Sequence, residues 1–109
     1  MERKPYLFLA GSKLINSAPG ANCLSLRFDE GVLTVNSTVS CSGFEGSTTP
    51  AKAAQALIGC SVLDAYSEQG RLSLDFGGIY LHIALEGGEY SGLEAASWAS
   101  NDGHIIVIK

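Results

Sequence analysis

The chain is short of most residues that announce chemistry. Its 109 residues include three cysteines, two histidines, one tryptophan and one methionine, and only 17% are charged. The odd cysteine count, with Cys23, Cys41 and Cys60 far apart, argues against a disulfide framework and against paired zinc-ligand spacing. Reduced thiols in a cytoplasmic protein are therefore expected, buried as small apolar side chains. There is no H-E-x-x-H, no Gly-rich phosphate loop, no C-x-x-C pair and no nucleophile elbow. The common signatures of zinc proteolysis, nucleotide binding, thiol redox chemistry and acyl transfer are thus missing. No enzyme activity, cofactor or metal is expected. Nor is there a long hydrophobic run. Residues 6–10 are too few for a signal-peptide core or a membrane span, so no membrane association is expected.

Positive charge is scarce in one half. Seven Lys and Arg face eleven Asp and Glu, for a net charge of −4. Before Cys60 the acids Glu2, Asp29, Glu30 and Glu45 are outnumbered by Arg3, Lys4, Lys13, Arg27 and Lys52. From Cys60 onward Asp64, Glu68, Asp75, Glu86, Glu89, Glu94 and Asp102 face only Arg71 and Lys109. An acidic field repels phosphate backbones and attracts basic partners, which argues against nucleic-acid binding.

What the chain does have is β-pattern. Its 46% hydrophobic content suits a compact globule, and the length predicts a single domain over residues 1–109. In residues 72–83, Leu72, Leu74 and Phe76 alternate with Ser73 and Asp75, and Ile79, Leu81 and Ile83 with Tyr80 and His82. This is the period of two half-buried strands, and Gly77-Gly78 between them suits a two-residue primed turn. The implied register sets Leu74 against Leu81 and Leu72 against Ile83. The other face then carries Asp75 opposite Tyr80, Ser73 opposite His82 and Arg71 opposite Ala84.

The same pattern occurs twice. Leu9, Gly11, Leu24, Ser25, Leu26, Phe28 and Leu33 recur as Leu57, Gly59, Leu72, Ser73, Leu74, Phe76 and Leu81, at one offset of 48 (57 minus 9). A repeated strand-plus-hairpin unit over residues 9–35 and 57–83 follows. In the first copy residues 13–17 lead in, and residues 23–28 and 32–41 form the hairpin. Its loop has either two residues or three with Gly31 in a left-handed bulge. One helix is expected over residues 48–56, with Thr49 as N-cap, Pro50 in the first helical position and Gly59 ending it. Residues 93–100 and 105–108 bracket an Asn-Asp-Gly-His turn and read as a last hairpin, with a helix starting at Glu94 as the alternative. The predicted fold is mainly β: an antiparallel sandwich or partly open barrel of about eight strands, built from two repeated units, with one short helix.

Candidate functional residues are few. His82 opposite Ser73, with Asp75 and Tyr80 diagonal, is the nearest approach to a relay. On a flat face without an excluded-water pocket these are expected to be solvated strand residues. His104 reads as a turn residue and Trp98 as core. Tyr90, beside Glu86, Glu89 and Glu94 in a Gly-rich loop, has the composition of a protein-binding loop. Asp64, Glu68 and Asp75 are the next candidates for partner contact.

Leu57-Ile58-Gly59 with Val62, Gly70-x-Leu72-x-Leu74-x-Phe76, Leu81-x-Ile83, Trp98, and Asp102-Gly103 before a last strand resemble a group of small bacterial β-rich proteins. Many of those belong to toxin and immunity loci, and the resemblance covers about the second half of the chain. It implies an immunity protein, of the contact-dependent growth inhibition type, that neutralises a cognate toxin by stoichiometric contact. Many such toxins are basic nucleases, to which the acidic half would be complementary. The first half departs from the pattern in lacking a Trp at the equivalent position. The alternatives are a small-molecule or peptide-binding β-domain, with a deep apolar pocket between the sheets, and a hydrolase using the His82 face.

Overall fold

Short runs of alternating apolar and polar residues separated by Gly-rich turns have one low-energy solution, strands that bury one face each. The computed structural model describes residues 4–20, 23–44, 48–85 and 95–108, and these contain ten strands and one helix. The strands are β1 (Lys4–Pro5), β2 (Leu14–Pro19), β3 (Leu24–Phe28), β4 (Gly31–Val35), β5 (Val39–Ser42), β6 (Asp64–Glu68), β7 (Arg71–Asp75), β8 (Tyr80–Ala84), β9 (Ala96–Ser100) and β10 (Ile105–Ile108); α1 spans Pro50–Ala56. One sheet has the order β10-β9-β4-β3-β2, the second β1-β6-β7-β8-β5. All neighbours are antiparallel. Each sheet ends in edge strands and the two do not close into a barrel, so of the expected sandwich or partly open barrel the structure takes the sandwich form.

The repeat is carried into three dimensions. In the first copy Leu24 pairs with Val35 and Leu26 with Leu33; 48 residues on, Leu72 pairs with Ile83 and Leu74 with Leu81. The junction between the copies obeys the same relation. Gly11 N–H donates to Val62 O at 2.7 Å and its equivalent, Gly59 N–H, to Leu14 O at 2.7 Å. Val62 N–H reaches Ser12 O at 2.8 Å, and Leu14 N–H reaches Cys60 O at 2.9 Å. At the centre Lys13 and Ser61, themselves equivalents, form an antiparallel bridge. A residue that pairs with its own equivalent lies on the pseudo-two-fold, which therefore runs through this bridge.

The two copies exchange their fourth strands. Residues 32–41 are not the single hairpin strand expected from the sequence but two, β4 and β5, separated at the polar run Asn36-Ser37-Thr38. Asn36 N–H still bonds Ala95 O in the first sheet, whereas Thr38 O accepts from Ala84 N–H in the second. The chain crosses between sheets within those residues, so β5 pairs with β8 and, reciprocally, β9 pairs with β4. The helical alternative for the segment at residue 94 does not extend to Ala96, which is strand.

Both hairpin loops have two residues. Gly77 and Gly78 have φ of 95° and 92°, as a primed turn requires. In the first copy Phe28 pairs with Gly31, which excludes the three-residue loop, and Gly31 is not in the left-handed region. Gly31 is needed for a different reason: a Cβ there would stand 2.5 Å from Ala99 O and 2.8 Å from a Trp98 ring carbon. The helix begins as its sequence predicts, with Thr49 Oγ1 accepting from Lys52 N–H at 3.2 Å and Pro50 in the first turn. It packs Ala53 and Ala54 inward and touches β2, β5 and β8.

Side chains from both sheets fill one core. Leu26, Leu33, Val35 and Trp98 from the first sheet meet Leu72, Leu74, Leu81 and Ile83 from the second, and Phe28 and Phe76 are buried with them. Trp98 packs its ring on Phe28 and Phe8 at 5.9 and 5.5 Å. The cysteines depart from expectation: Cys23 and Cys60 are exposed and Cys41 is half-buried. The reason is positional. Cys23 precedes Leu24 and shares the outward parity of Ser25, while Cys60 lies in the turn after the helix, so strand register outweighs the side chain's apolar preference.

Candidate functional site

Alternation along β6, β7 and β8 turns Ala65, Leu72, Leu74, Leu81 and Ile83 into the core and their neighbours outward. Register then aligns the outward residues in rows across the second sheet. One row is Asp64, Asp75, Tyr80 and Ser42; the next is Tyr66, Ser73, His82 and Ser40; the third is Glu68, Arg71 and Ala84. Three of the residues expected to contact a partner, Asp64, Glu68 and Asp75, thus share this face. The other four, Glu86, Glu89, Tyr90 and Glu94, lie outside the described residues.

His82 is the hub of the middle row. Its Nδ1 is 2.9 Å from Ser73 Oγ and its Nε2 is 3.0 Å from Ser42 Oγ, so one imidazole joins three neighbouring strands. A neutral ring serves both hydroxyls, donating at one nitrogen and accepting at the other. Burial and the nearby Arg71 guanidinium push the His82 pKa below its ordinary value, which favours that neutral form. The Tyr80 ring stacks on His82 with centroids 5.6 Å apart and planes 5° from parallel. The expectation of a fully solvated row is corrected here. Ser73 is only 1% exposed, because large neighbours on both sides close over a small side chain.

Asp75 takes no part in that hydrogen-bond set. Its Oδ1 accepts from Gly77 N–H at 2.8 Å and Gly78 N–H at 3.1 Å, tying the carboxylate to the hairpin turn. A Ser-His-Asp relay needs the imidazole between hydroxyl and carboxylate, and these three residues are not arranged so. Asp64 stands directly opposite Asp75. Like charges in that position repel, and the two turn amides offset part of the cost for Asp75 alone.

A second Ser-His-Asp set lies in the β9–β10 turn. Ser100 Oγ donates to Asp102 Oδ1, and His104 Nδ1 is 3.0 Å from the same oxygen. The Ser100 and His104 hydrogen bonds hold the Asp102 pKa down at about 2. Both partners converge on one carboxylate oxygen in an exposed turn, so the geometry clasps the turn rather than relaying a proton. Asn101 extends the clasp, its N–H bonding Glu30 O and its amide Nδ2 bonding Asp29 O at 2.8 Å.

Among the described residues no three His, Cys, Asp or Glu side chains stand close enough to hold a metal ion, and no helix is long and apolar enough to cross a membrane. Sequence reasoning missed Tyr66 and Ser42 on the candidate face. Tyr66 had a usable signal, since it alternates with Ala65 and Ser67 between Asp64 and Glu68. Ser42 had none, because nothing local reveals that β5 joins the second sheet. Comparison with protein-family models, with curated proteins and with solved structures gives no match.

Proposed function

We propose that the chain is a stoichiometric protein-binding module whose outer second-sheet face takes a basic protein partner. The observation that carries this reading is the facing carboxylate pair Asp64 and Asp75 beside the stacked Tyr80 and His82. A cation from a partner would relieve the repulsion between the carboxylates, and a rigid aromatic pair offers the desolvated contact that charge alone does not supply. In the light of the resemblance to immunity proteins, the partner would be a cognate toxin, such as a basic nuclease domain, blocked by direct contact. Glu86, Glu89, Tyr90 and Glu94, also expected to contact the partner, lie outside the described residues.

The second reading, a small-molecule or peptide-binding β-domain, draws less support. The space between the sheets is filled by side chains of both; what favours this reading is an open groove of about 490 Å3 where residues 4–8 run beside Ile106, Val107 and Ile108, which has pocket size but is lined by apolar residues with Lys4 as its one charged group.

The test is to isolate whatever co-purifies stoichiometrically with the tagged chain from its host, and then to measure binding of purified variants at two salt concentrations. Asp64→Lys is expected mainly to slow association and flatten its salt dependence. Tyr80→Ala is expected mainly to speed dissociation, at a cost of about 2 kcal/mol. Unchanged binding by both variants would remove the site from this face.

A further inference from the structure

The four sheet edges are not alike. β2 carries Pro19 and a register break between Leu14 and Asn16, and α1 packs against it. β1 is two residues long, Lys4 and Pro5. β5 runs into Gly43 at φ 91° and is also touched by the helix. Proline, lysine, bulges, brevity and helical cover are the devices by which sheets avoid edge-to-edge pairing. Among the described residues β10 itself has none of them, although Lys4 lines the groove beside it. Ile105, Ile106, Val107 and Ile108 are apolar on both faces and pair with β9 without a bulge. Ile105 is 72% exposed and Val107 49%; Leu7, 79% exposed, lines a groove of about 490 Å3 together with Ile106 and Val107.

The hydrogen-bond phase of that edge can be read from its neighbours. Ser100 N–H bonds His104 O, and Asn36 N–H bonds Ala95 O. With the observed registers, the even residues of β9 therefore face β10 and the odd ones β4. On β10, Ile106 and Ile108 bond inward, which leaves the N–H and C=O of Ile105 and Val107 pointing away from the sheet.

We propose that β10 is the surface through which two copies of this chain pair as a symmetric antiparallel dimer, independently of the face assigned above. Free groups at Ile105 and Val107 satisfy each other across a two-fold through Ile106, with Ile105 of one copy bonding Val107 of the second. That register keeps faces matched: Ile105 packs on Val107 outside, and Ile106 on Ile106 inside, continuing the first sheet across the axis. The strand is complementary to itself, carrying no charge that an identical strand would repel. Because the other three edges are blocked, assembly closes at two copies and does not propagate. Four residues and one apolar patch per copy put the interface at or below the ~1,200 Å2 end of specific contacts, so the dimer is weak.

Sedimentation equilibrium of the full chain from about 10 μM to 1 mM should show a monomer–dimer equilibrium. Val107→Pro deletes an outward N–H while sparing the bonds to β9, and proline is tolerated at such an edge position. Ile105→Lys puts a charge at the contact without altering the backbone. Each is expected to weaken association at least about ten-fold with the thermal midpoint little changed. In a chain whose Cys23, Cys41 and Cys60 are replaced by Ser, Ile106→Cys should oxidise to a covalent dimer, since a pair outside the hydrogen-bonded ring has Cα atoms about 4.5 Å apart. Ile105→Cys should not, because its copies stand too far apart for a disulfide. A chain that stays monomeric throughout, a dimer indifferent to Val107→Pro and Ile105→Lys, or growth beyond two copies would overturn the proposal. So would a monomer whose residue 105 and 107 amides respond only to an added apolar strand peptide, which would assign the edge to a foreign segment.

Discussion

The two sheets share one three-strand plan inside and differ outside. β2, β3 and β4 in the first sheet and β6, β7 and β8 in the second have the same hairpin register, and both put Leu at the centre of the core. Their outer faces have little in common. Where the second sheet presents Asp64, Asp75, Tyr80 and His82 beside a buried Tyr66, the first presents Asn16, Ser25, Arg27, Val32 and Thr34. Shared interior and divergent exterior separate two demands on a repeated unit. Packing density constrains core positions to near-identity, whereas a solvent face is free to acquire charge and aromatic rings. The face that diverged toward charge and aromaticity is therefore the better candidate for function.

The sharpest way to break the equivalence is in the core. Leu26 and Leu74 are equivalents and both fully buried, so Leu26→Ala and Leu74→Ala should each destabilise by about 2–5 kcal/mol. Urea denaturation should find the two losses within about 1 kcal/mol of each other, given like surroundings. A much larger gap would mean that one copy carries the fold and the other only decorates it.

A smaller effect separates the copies at their fourth strands. Gly31 sits against β9 with no room for a Cβ, whereas its equivalent is Ile79. In the second sheet the glycine is on the other partner: a Cβ on Gly43 would stand 2.2 Å from Gly78 O and 3.0 Å from Ile79 Cα. The same close approach is thus relieved from opposite strands. Gly31→Ala should cost about 1–3 kcal/mol by overpacking. Loss of less than about 0.5 kcal/mol in thermal or urea unfolding would show that β9 moves freely away from β4.

The smallest effect expected is on pH dependence, and it belongs to the second sheet alone. Where that sheet has His82 facing Ser73, the first has Thr34 facing Ser25. The folded-state pKa of His82 lies below its unfolded value of 6.5, so the unfolded chain binds more protons between the two values. Stability should fall as pH drops through 6.5 and level off below the folded pKa. His82→Thr, which restores the first copy's residue, should flatten this dependence between pH 8 and 5. That window lies above the range in which Asp102, held at about 2, loses its contribution on further acidification. An unchanged pH slope in the variant would mean that His82 is not the group responsible.

Much of the fold was legible because the deciding interactions are local. Two glycines at 77 and 78 set a loop length, loop length sets a register, and a period of two then assigns Leu72, Leu74, Leu81 and Ile83 to one face. Thr49 and Pro50 likewise mark their helix without help from the rest of the chain. The same alternation placed Asp75, Tyr80 and His82 together. What the chain order could not reveal is which sheet a strand joins. Residues 32–41 lose their alternation at Asn36-Ser37-Thr38, three polar residues in a row that mark a break but not its destination, and only the packed core decides that the chain then enters the second sheet at Val39. That crossing delivers Ser42 to His82, and the return crossing seats Ala99 against Gly31. Local sequence determined the faces of the strands; their partners followed from closing two like units around one axis, because a hydrogen-bonding edge accepts any strand that tertiary packing brings to it.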